Sequence, residues 1–238
     1  MKKLILAIYN KVSLLQMFYR PVRAVVARRR LKRTVQTAVA AQQPLKIVIG
    51  ANNKFQPGWI PTEIYSLNCL DPDDWRRCFT ENSISAMLAE HVWEHLTPED
   101  GVRMAILCFQ HLKPGGHLRV AVPDGLFPDE RYIEWVKPGG SGPSADDHKV
   151  LYNYRTFRET FQKAGFEIRL LEYFDERGEF HFDEWDPEEG KIVRSSRFYD
   201  GHQFGKYKYR SLILDAIKPL ETALWQKRSV ANQESLNT

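Results

Sequence analysis

The sequence predicts an α/β fold with a doubly wound, mostly parallel sheet that follows an N-terminal helical arm. Short apolar runs alternate with longer amphipathic runs from Leu45 onward, which is the pattern of repeated βα units around a parallel sheet. The chain has 238 residues, of which 43% are hydrophobic, enough for one large domain with a buried core. The first 44 residues differ in composition, and we expect a domain boundary after them.

Seven apolar runs predict the strands of the sheet. They are LKIVIG (45–50), WIPTEIYSL (59–67), a short run that ends near Leu70, SISAMLA (83–89), HLRVAVP (117–123), FEIRLLEYF (166–174) and SLILDAI (211–217). The clearest helix begins at Thr97, which is a good N-cap, and Pro98 and Glu99 suit its first turn. A second helix is expected over about Thr156–Ala164.

The main domain is predicted over residues 45–226, with an insertion at about 175–210 and a polar tail over 227–238. Acidic residues crowd the insertion, and we expect them to form a solvated hairpin rather than a metal site. These residues are Asp183, Glu184, Asp186, Glu188 and Glu189.

The arm, residues 1–44, carries ten Lys and Arg and no acidic residue. Because the whole chain has a net charge of +4, the remaining residues carry −6. Such asymmetry favours an anionic partner for the arm. The hypothesis is peripheral contact with an anionic membrane through residues 1–33. Lys11, Arg20, Arg23 and Arg28 to Arg30 are expected at the headgroups, and Leu4, Ile8, Val12, Leu15 and Val22 of an apolar helical stripe are expected in the interface. The stripe consists of Leu4, Ile8, Val12, Leu15, Tyr19, Val22 and Val26. The alternative is that it packs on the main domain or on a second subunit.

Other classes of protein fit the composition poorly. The three cysteines show no paired spacing, which argues against a disulfide framework and a zinc knuckle and favours a reducing compartment. No apolar run approaches the roughly 20 residues that a spanning helix needs. We therefore expect a cytoplasmic protein, and nothing in the main domain indicates nucleic-acid binding.

Three motifs carry a family resemblance: IGANNKFQPGW (49–59), AEHVWEHL (89–96) and HLKPGGHLRVAVPD (111–124). In this order and spacing they resemble the class I S-adenosylmethionine-dependent methyltransferases, and more closely the bacterial type 11 group. The resemblance implies a Rossmann-like domain, S-adenosylmethionine as cofactor, and methyl transfer to an oxygen or nitrogen of a small molecule. The alternative is a non-catalytic binding or scaffold protein that has lost the cofactor.

The resemblance also implies which residues bind the cofactor. Gly50, Ala51 and Asn52 correspond to the glycine-rich turn after the first strand, although only Gly50 keeps the glycine; since Asn tolerates positive φ, the turn can still form. Glu63 corresponds to the carboxylate that binds the ribose hydroxyls. Asp71 corresponds to the acidic residue near adenine, and Asp73 or Asp74 can substitute. Glu90 and His91 correspond to residues near the reacting sulfur.

Residues His91, Glu94 and His95 also form the H-x-x-E-H pattern of inverted zinc metallopeptidases. On a long helix the two imidazoles would share one face. Here the pattern follows a predicted strand and precedes a capped helix after a few residues. We therefore expect it to line the cofactor pocket and expect no metal.

Candidate catalytic residues follow the strand that ends at VPDG (122–125). Asp124 lies where ligands of open α/β sheets bind. The loop over 136–154 is rich in titratable and aromatic groups, and His148 has the ordinary pKa best suited to proton removal near neutrality. His148 is the candidate base, with Asp124 or Asp147 orienting it. The alternative is a polar surface loop.

Overall fold

The computed structural model describes residues 22–52 and 55–220. The helices are α1 (22–40), α2 (Pro72–Cys78), α3 (Pro98–His111), α4 (Glu130–Val136) and α5 (Tyr154–Gln162). The strands are β1 (Leu45–Ile49), β2 (Ile60–Pro61), β3 (Ile84–Glu90), β4 (Leu112–Pro123), β5 (Glu167–Phe174), β6 (Phe180–Phe182), β7 (Gln203–Phe204), β8 (Tyr207–Lys208) and β9 (Ser211–Ile217).

Seven of these strands form one sheet in the order β2-β1-β3-β4-β9-β5-β6, and β7 and β8 form a separate hairpin. β1 is parallel to β2 and β3, and β3 is parallel to β4. β9 is antiparallel to both of its neighbours, β4 and β5, so β2, β1, β3, β4 and β5 all run in one direction. The predicted Rossmann-like α/β fold with a mostly parallel sheet is confirmed. The carboxyl ends of β1, β3 and β4 consequently meet at one edge.

Four helices cover one face of the sheet. Side chains of α1, α2, α3 and α5 pack with alternate residues of the strands, among them Ile47, Met87 and Val120, which are fully buried. α3 begins as predicted: Thr97 Oγ1 accepts the Asp100 N–H at 3.1 Å. The local signal thus fixes where α3 begins, and its buried residues lie in one core with those of β3 and β4.

The opposite face is covered by residues 183–198, which contain only one 3-10 turn (Pro187–Glu189) and otherwise run irregularly. Trp185 and Ile192 of this segment are buried against Leu88 and Ile213. A buried ion pair holds the segment on the sheet. Arg119 donates to Asp215 through Nε and Nη2, both at 2.8 Å. Its Nη1 donates to the backbone oxygens of residues 186 and 190 in the segment. The predicted solvated hairpin is thus wrong for these residues, although their carboxylates are exposed.

The region between β1 and α2 also differs from the prediction. β2 has only two residues, and no strand is found over the described residues 62–70. Here the chain folds into turns that local side chains stabilise: Ser66 Oγ accepts the Glu63 N–H, and Asp71 accepts the Asp73 N–H as N-cap of α2. Polar side chains that bond nearby backbone compete with strand formation.

The arm helix α1 docks on the main domain over the residues described. Leu31 and Val35 are buried, at 4% and 5% exposure, in the same core as β1. Arg28 pairs with the buried Asp74 at 3.0 Å. Burial of two such side chains contributes about 1.5–3 kcal/mol each, more than a partly exposed ion pair, so apolar packing holds the helix. Leu4, Ile8, Val12, Leu15 and Tyr19 of the predicted stripe, and the tail 227–238, lie outside the described residues.

None of the helices in residues 22–52 and 55–220 combines the length and the apolar character that a membrane span requires.

Candidate functional site

A cavity of about 870 Å³ opens at the edge where the carboxyl ends of β1, β3 and β4 meet. This volume falls within the range of pockets for small molecules and cofactors. Four of the seven histidines of the chain line it: His91, His95, His148 and His202. Such a concentration of imidazoles at the ligand-binding edge of an α/β sheet marks the cavity as the candidate site.

The turn after β1 forms one wall of the cavity. Gly50 has φ +64°, and a Cβ on it would lie 2.8 Å from Val92 Cγ2. Asn52 has φ +42°, which confirms that asparagine allows the turn to form. Ala51 is only 4% exposed and packs in the core with Val48. The alanine that replaces a glycine therefore leaves the cavity open.

Glu63 lies just beyond β2, beside this turn. Its Oε1 accepts the backbone N–H of Asn52 in a short hydrogen bond, and the side chain is exposed. A carboxylate has further acceptor positions, so one oxygen can hold the turn while the other accepts from a ligand hydroxyl. No helix separates β1 from β2 within the described residues of this connection.

The end of β3 contributes two acidic residues and a strained histidine. Glu90 accepts the backbone N–H groups of Val193 and Arg194 at 2.8 and 2.9 Å, which draws the covering segment to the cavity. His91 has φ +58° and contacts Glu94 Oε1 through Nδ1 at 2.7 Å. Burial raises the pKa of Glu94, but the charge and hydrogen bond of His91 outweigh it, so the pKa lies below its usual value.

His148 enters the cavity from the loop after α4. It is 8% exposed, and its Nδ1 lies 2.7 Å from the Val136 carbonyl oxygen. A carbonyl only accepts, so Nδ1 carries the proton and Nε2 keeps the lone pair in the neutral ring. The loop is compact, because Gly139 and Gly142 donate to the backbone oxygens of residues 145 and 135. His148 is thus a fixed side chain with an available basic nitrogen.

The two carboxylates predicted to orient His148, Asp124 and Asp147, contact other groups. Asp124 is 1% exposed and lies outside the lining of the cavity; its oxygens accept the N–H groups of Leu126 and Phe174 at 2.9 and 2.8 Å. Burial raises the pKa of Asp124 to about 6, against these hydrogen bonds. Asp147 is exposed and lies 3.3 Å from His95 Nδ1 and from Lys149 Nζ. The orienting partner of His148 is therefore the Val136 carbonyl, a correction to the predicted Asp124 or Asp147.

Asp71 also lies away from the cavity lining, because it caps α2. Its part in adenine binding stays a prediction, as do the cofactor contacts of the other named residues. The structure does bring Gly50, Ala51, Asn52, Glu90, His91 and His148 to one cavity.

The sequence reasoning missed the contribution of the insertion. Lys191, Arg194, Tyr199, His202 and Tyr209 line the cavity. Tyr209 Oη lies 3.4 Å from His91 Nε2, and Ser211 Oγ lies 3.0 Å from the same atom. The basic and aromatic composition of 191–210 was the available signal, but only the return of the chain through β9 shows where these residues lie.

Neither a protein-family model nor a curated protein matches this sequence. Several solved structures are similar in fold. A methyltransferase dependent on S-adenosylmethionine from Archaeoglobus fulgidus is 15% identical, with coverage of 87% of this chain and 99% of that chain and a TM-score of 0.42. One from Thermotoga maritima is 15% identical, covering 81% and 92%, with a TM-score of 0.42. A Haemonchus contortus phosphoethanolamine N-methyltransferase in complex with S-adenosyl-L-methionine is 16% identical, covering 54% and 35%, with a TM-score of 0.35. All three TM-scores are below 0.5, so the function of this chain has to rest on its own residues.

Proposed function

We propose that this protein transfers the methyl group of S-adenosylmethionine to an oxygen or nitrogen nucleophile of a small molecule. The observation that carries the proposal is the pairing of the left-handed turn at Gly50 and Asn52 with the Glu63 carboxylate at the ends of adjacent strands. A turn that admits close backbone approach, next to a carboxylate for sugar hydroxyls, is the arrangement by which α/β sheets hold nucleoside cofactors. The resemblance of the three motifs agrees with it.

The cofactor supplies the reactive methyl group, so the protein has to position the two partners and exclude water. The turn and Glu63 would hold the nucleoside, and Glu90 and His91 line the same cavity as the turn. His148 would be the base in this proposal: its Nε2 would take the proton of an acceptor hydroxyl as the oxygen displaces sulfur from the methyl carbon, with S-adenosylhomocysteine as the leaving group. An amine that is already neutral would need no base.

Cofactor binding is tested by calorimetric titration with S-adenosylhomocysteine. The wild-type protein is expected to bind it, and Glu63→Ala is expected to bind about 10- to 100-fold more weakly, because hydrogen bonds to a charged acceptor contribute about 1.5–3 kcal/mol. Glu63→Gln keeps an oxygen for the Asn52 N–H, and it separates loss of the ribose contact from loss of the turn.

Glu81→Ala is the matched control, since Glu81 is exposed and precedes β3 at the other end of the sheet. Equal affinity of Glu63→Ala and the wild type would reject the ribose assignment. A wild-type protein that binds neither S-adenosylmethionine nor S-adenosylhomocysteine would favour the non-catalytic scaffold instead.

Contact with an anionic membrane stays a proposal, and one face of α1 favours it. Val22 and Val26 are 61% and 60% exposed, and Arg29, Arg30 and Arg33 continue the same stripe on the side away from Leu31. Each basic residue near such a surface contributes about 1 kcal/mol. Replacement of the three arginines by Gln is therefore expected to weaken binding to vesicles by roughly 100-fold.

Co-sedimentation with anionic and neutral vesicles at low and high salt measures this effect, because screening weakens an electrostatic attachment. The control replaces Arg103, Arg158 and Arg177, three exposed arginines of the main domain, by Gln. Absence of sedimentation of the wild type with anionic vesicles at low salt would show that the stripe serves only to pack on protein.

A further inference from the structure

Three cavity residues form a cluster of potential metal ligands. Glu94, His95 and His148 each offer one ligand atom, and these atoms all lie within 4.8 Å of one another. Glu94 and His148 are buried, at 1% and 8% exposure, and His95 is partly exposed. The rings of His95 and His148 meet edge to face with centroids 4.9 Å apart. Two imidazoles and a carboxylate thus converge at one wall of the cavity.

The backbone fixes this convergence. The N–H groups of Lys149 and Val150 donate to the Glu94 carbonyl oxygen at 2.7 and 3.3 Å, so the loop that carries His148 is bound to the turn that carries Glu94 and His95. His148 Nδ1 donates to the Val136 carbonyl, which leaves Nε2 free to bind. Histidines that bind metals usually donate their second N–H to a carbonyl or carboxylate in this way.

Glu94 provides an independent sign of a missing partner. Its Oε1 contacts His91, whereas its Oε2 is buried and has no hydrogen-bond partner among the described residues. An unsatisfied buried polar atom costs about 1–3 kcal/mol, and more when it is charged. Such an atom in a native protein indicates a bound water or ion. Glu94 also offers one ligand atom within 4.8 Å of the ligand atoms of His95 and His148.

We propose that Glu94, His95 and His148 bind one divalent transition-metal ion, of the Zn²⁺ or Mn²⁺ class. Two imidazoles with one carboxylate suit these ions better than Mg²⁺ or Ca²⁺, which prefer oxygen ligands alone. Bonds of about 2.0–2.2 Å require ligand atoms roughly 3–3.5 Å apart, so the cluster contracts on binding. His95 can supply the movement, because it is partly exposed and its Nδ1 is paired with the exposed Asp147 carboxylate at 3.3 Å rather than with a buried group.

This site differs from the peptidase pattern in the sequence, which pairs His91 with His95. In the structure His91 contacts Glu94 Oε1 and is not part of the cluster. The imidazole that joins His95 in the cluster belongs to His148, in another loop. Three protein ligands leave coordination positions open toward the cavity. A consequence that rests on the proposed methyl transfer is that the acceptor binds the ion through an oxygen, which identifies it as a hydroxyl compound. With the ion bound, His148 would be a ligand instead of the base, and the ion would make the hydroxyl acidic enough for its proton to pass to solvent.

The test is calorimetric titration of the chelator-treated, full-length protein with Zn²⁺ and separately with Mn²⁺, followed by elemental analysis after desalting. One ion per chain is expected. Loss of a residue that only hydrogen-bonds a metal ligand weakens metal binding by about 10- to 100-fold. Loss of a ligand itself costs at least as much, so Glu94→Gln, His95→Gln and His148→Gln are each expected to weaken binding by about 100-fold or more. Circular dichroism monitors folding. If Glu94→Gln does not fold, His95→Gln still tests the site at a less buried position.

Two histidine variants serve as controls. His202→Gln removes an imidazole that lines the same cavity outside the cluster. His181→Gln removes one from a second group of potential ligands, Asp175, Glu179 and His181. Both are expected to bind the ion as the wild type does, and loss of binding in His181→Gln alone would assign the ion to that second group and overturn the proposal.

A wild-type protein that binds neither ion, or three cluster variants that bind it normally, would also overturn the proposal. Titration of the same samples with S-adenosylhomocysteine distinguishes the two ideas. If the protein binds S-adenosylhomocysteine but neither metal ion, the ion site is rejected and the proposed methyl transfer is unaffected. If the protein binds a metal ion but not S-adenosylhomocysteine, the ion site is supported and the proposed methyl transfer is rejected.

Discussion

Replacement of His148 by Gln is expected to lower methyl-transfer turnover by about 10²–10⁴-fold, with the affinity for S-adenosylhomocysteine preserved. The physical reason is that Nε2 is the free nitrogen of a ring whose Nδ1 is fixed by the Val136 carbonyl. Glutamine cannot take up a proton near neutral pH. The measurement is single-turnover kinetics with a hydroxyl acceptor found by screening.

The control for this variant is His181→Gln, since His181 lies on β6 and pairs with Asp175. It is expected to leave turnover unchanged. A loss of less than threefold in His148→Gln would show that the buried imidazole serves only to pack the loop. The metal content of the same samples distinguishes a role of His148 as a base from a role as a metal ligand. If His148 is a base, its replacement lowers turnover in metal-free protein as well.

Replacement of Gly50 by Val is expected to reduce cofactor affinity by more than the Glu63→Ala change does, beyond roughly 100-fold. Gly50 has φ +64°, where a residue with a Cβ is strained by about 1–3 kcal/mol, and its new Cβ would lie 2.8 Å from Val92. The β-branched side chain would also occupy space at the turn that the cofactor is proposed to approach. Calorimetric titration with S-adenosylhomocysteine and thermal unfolding measure the two effects.

Gly139→Val provides a matched comparison. Gly139 has φ +71°, but a Cβ there would meet nothing within 4 Å, and the residue is not part of the cavity lining. It is expected to lower the free energy of unfolding through backbone strain and to keep the cofactor affinity. Normal binding by a folded Gly50→Val protein would mean that the turn after β1 is not the cofactor site.

The sequence by itself determined the parts of this fold whose signals are local. β1, β3 and β9 are apolar runs of five to seven residues, and α3 has its N-cap and its proline within one segment. The motif resemblance predicted three site residues at the ends of β1 and β3, which meet at the carboxyl edge of the parallel strands. Gly50, Glu90 and His91 lie there.

Only the tertiary structure decided which polar groups are available for chemistry. Asp124 occurs at a position that looks functional, yet one of its oxygens accepts the backbone N–H of Phe174, and no local pattern reveals a partner 50 residues away. The same holds for the cavity wall formed by 191–210, which reaches the site because β9 inserts between β4 and β5. Hydrogen bonds are satisfied across the fold, so the free atoms of Glu94 and His148 are properties of the assembled molecule rather than of any segment.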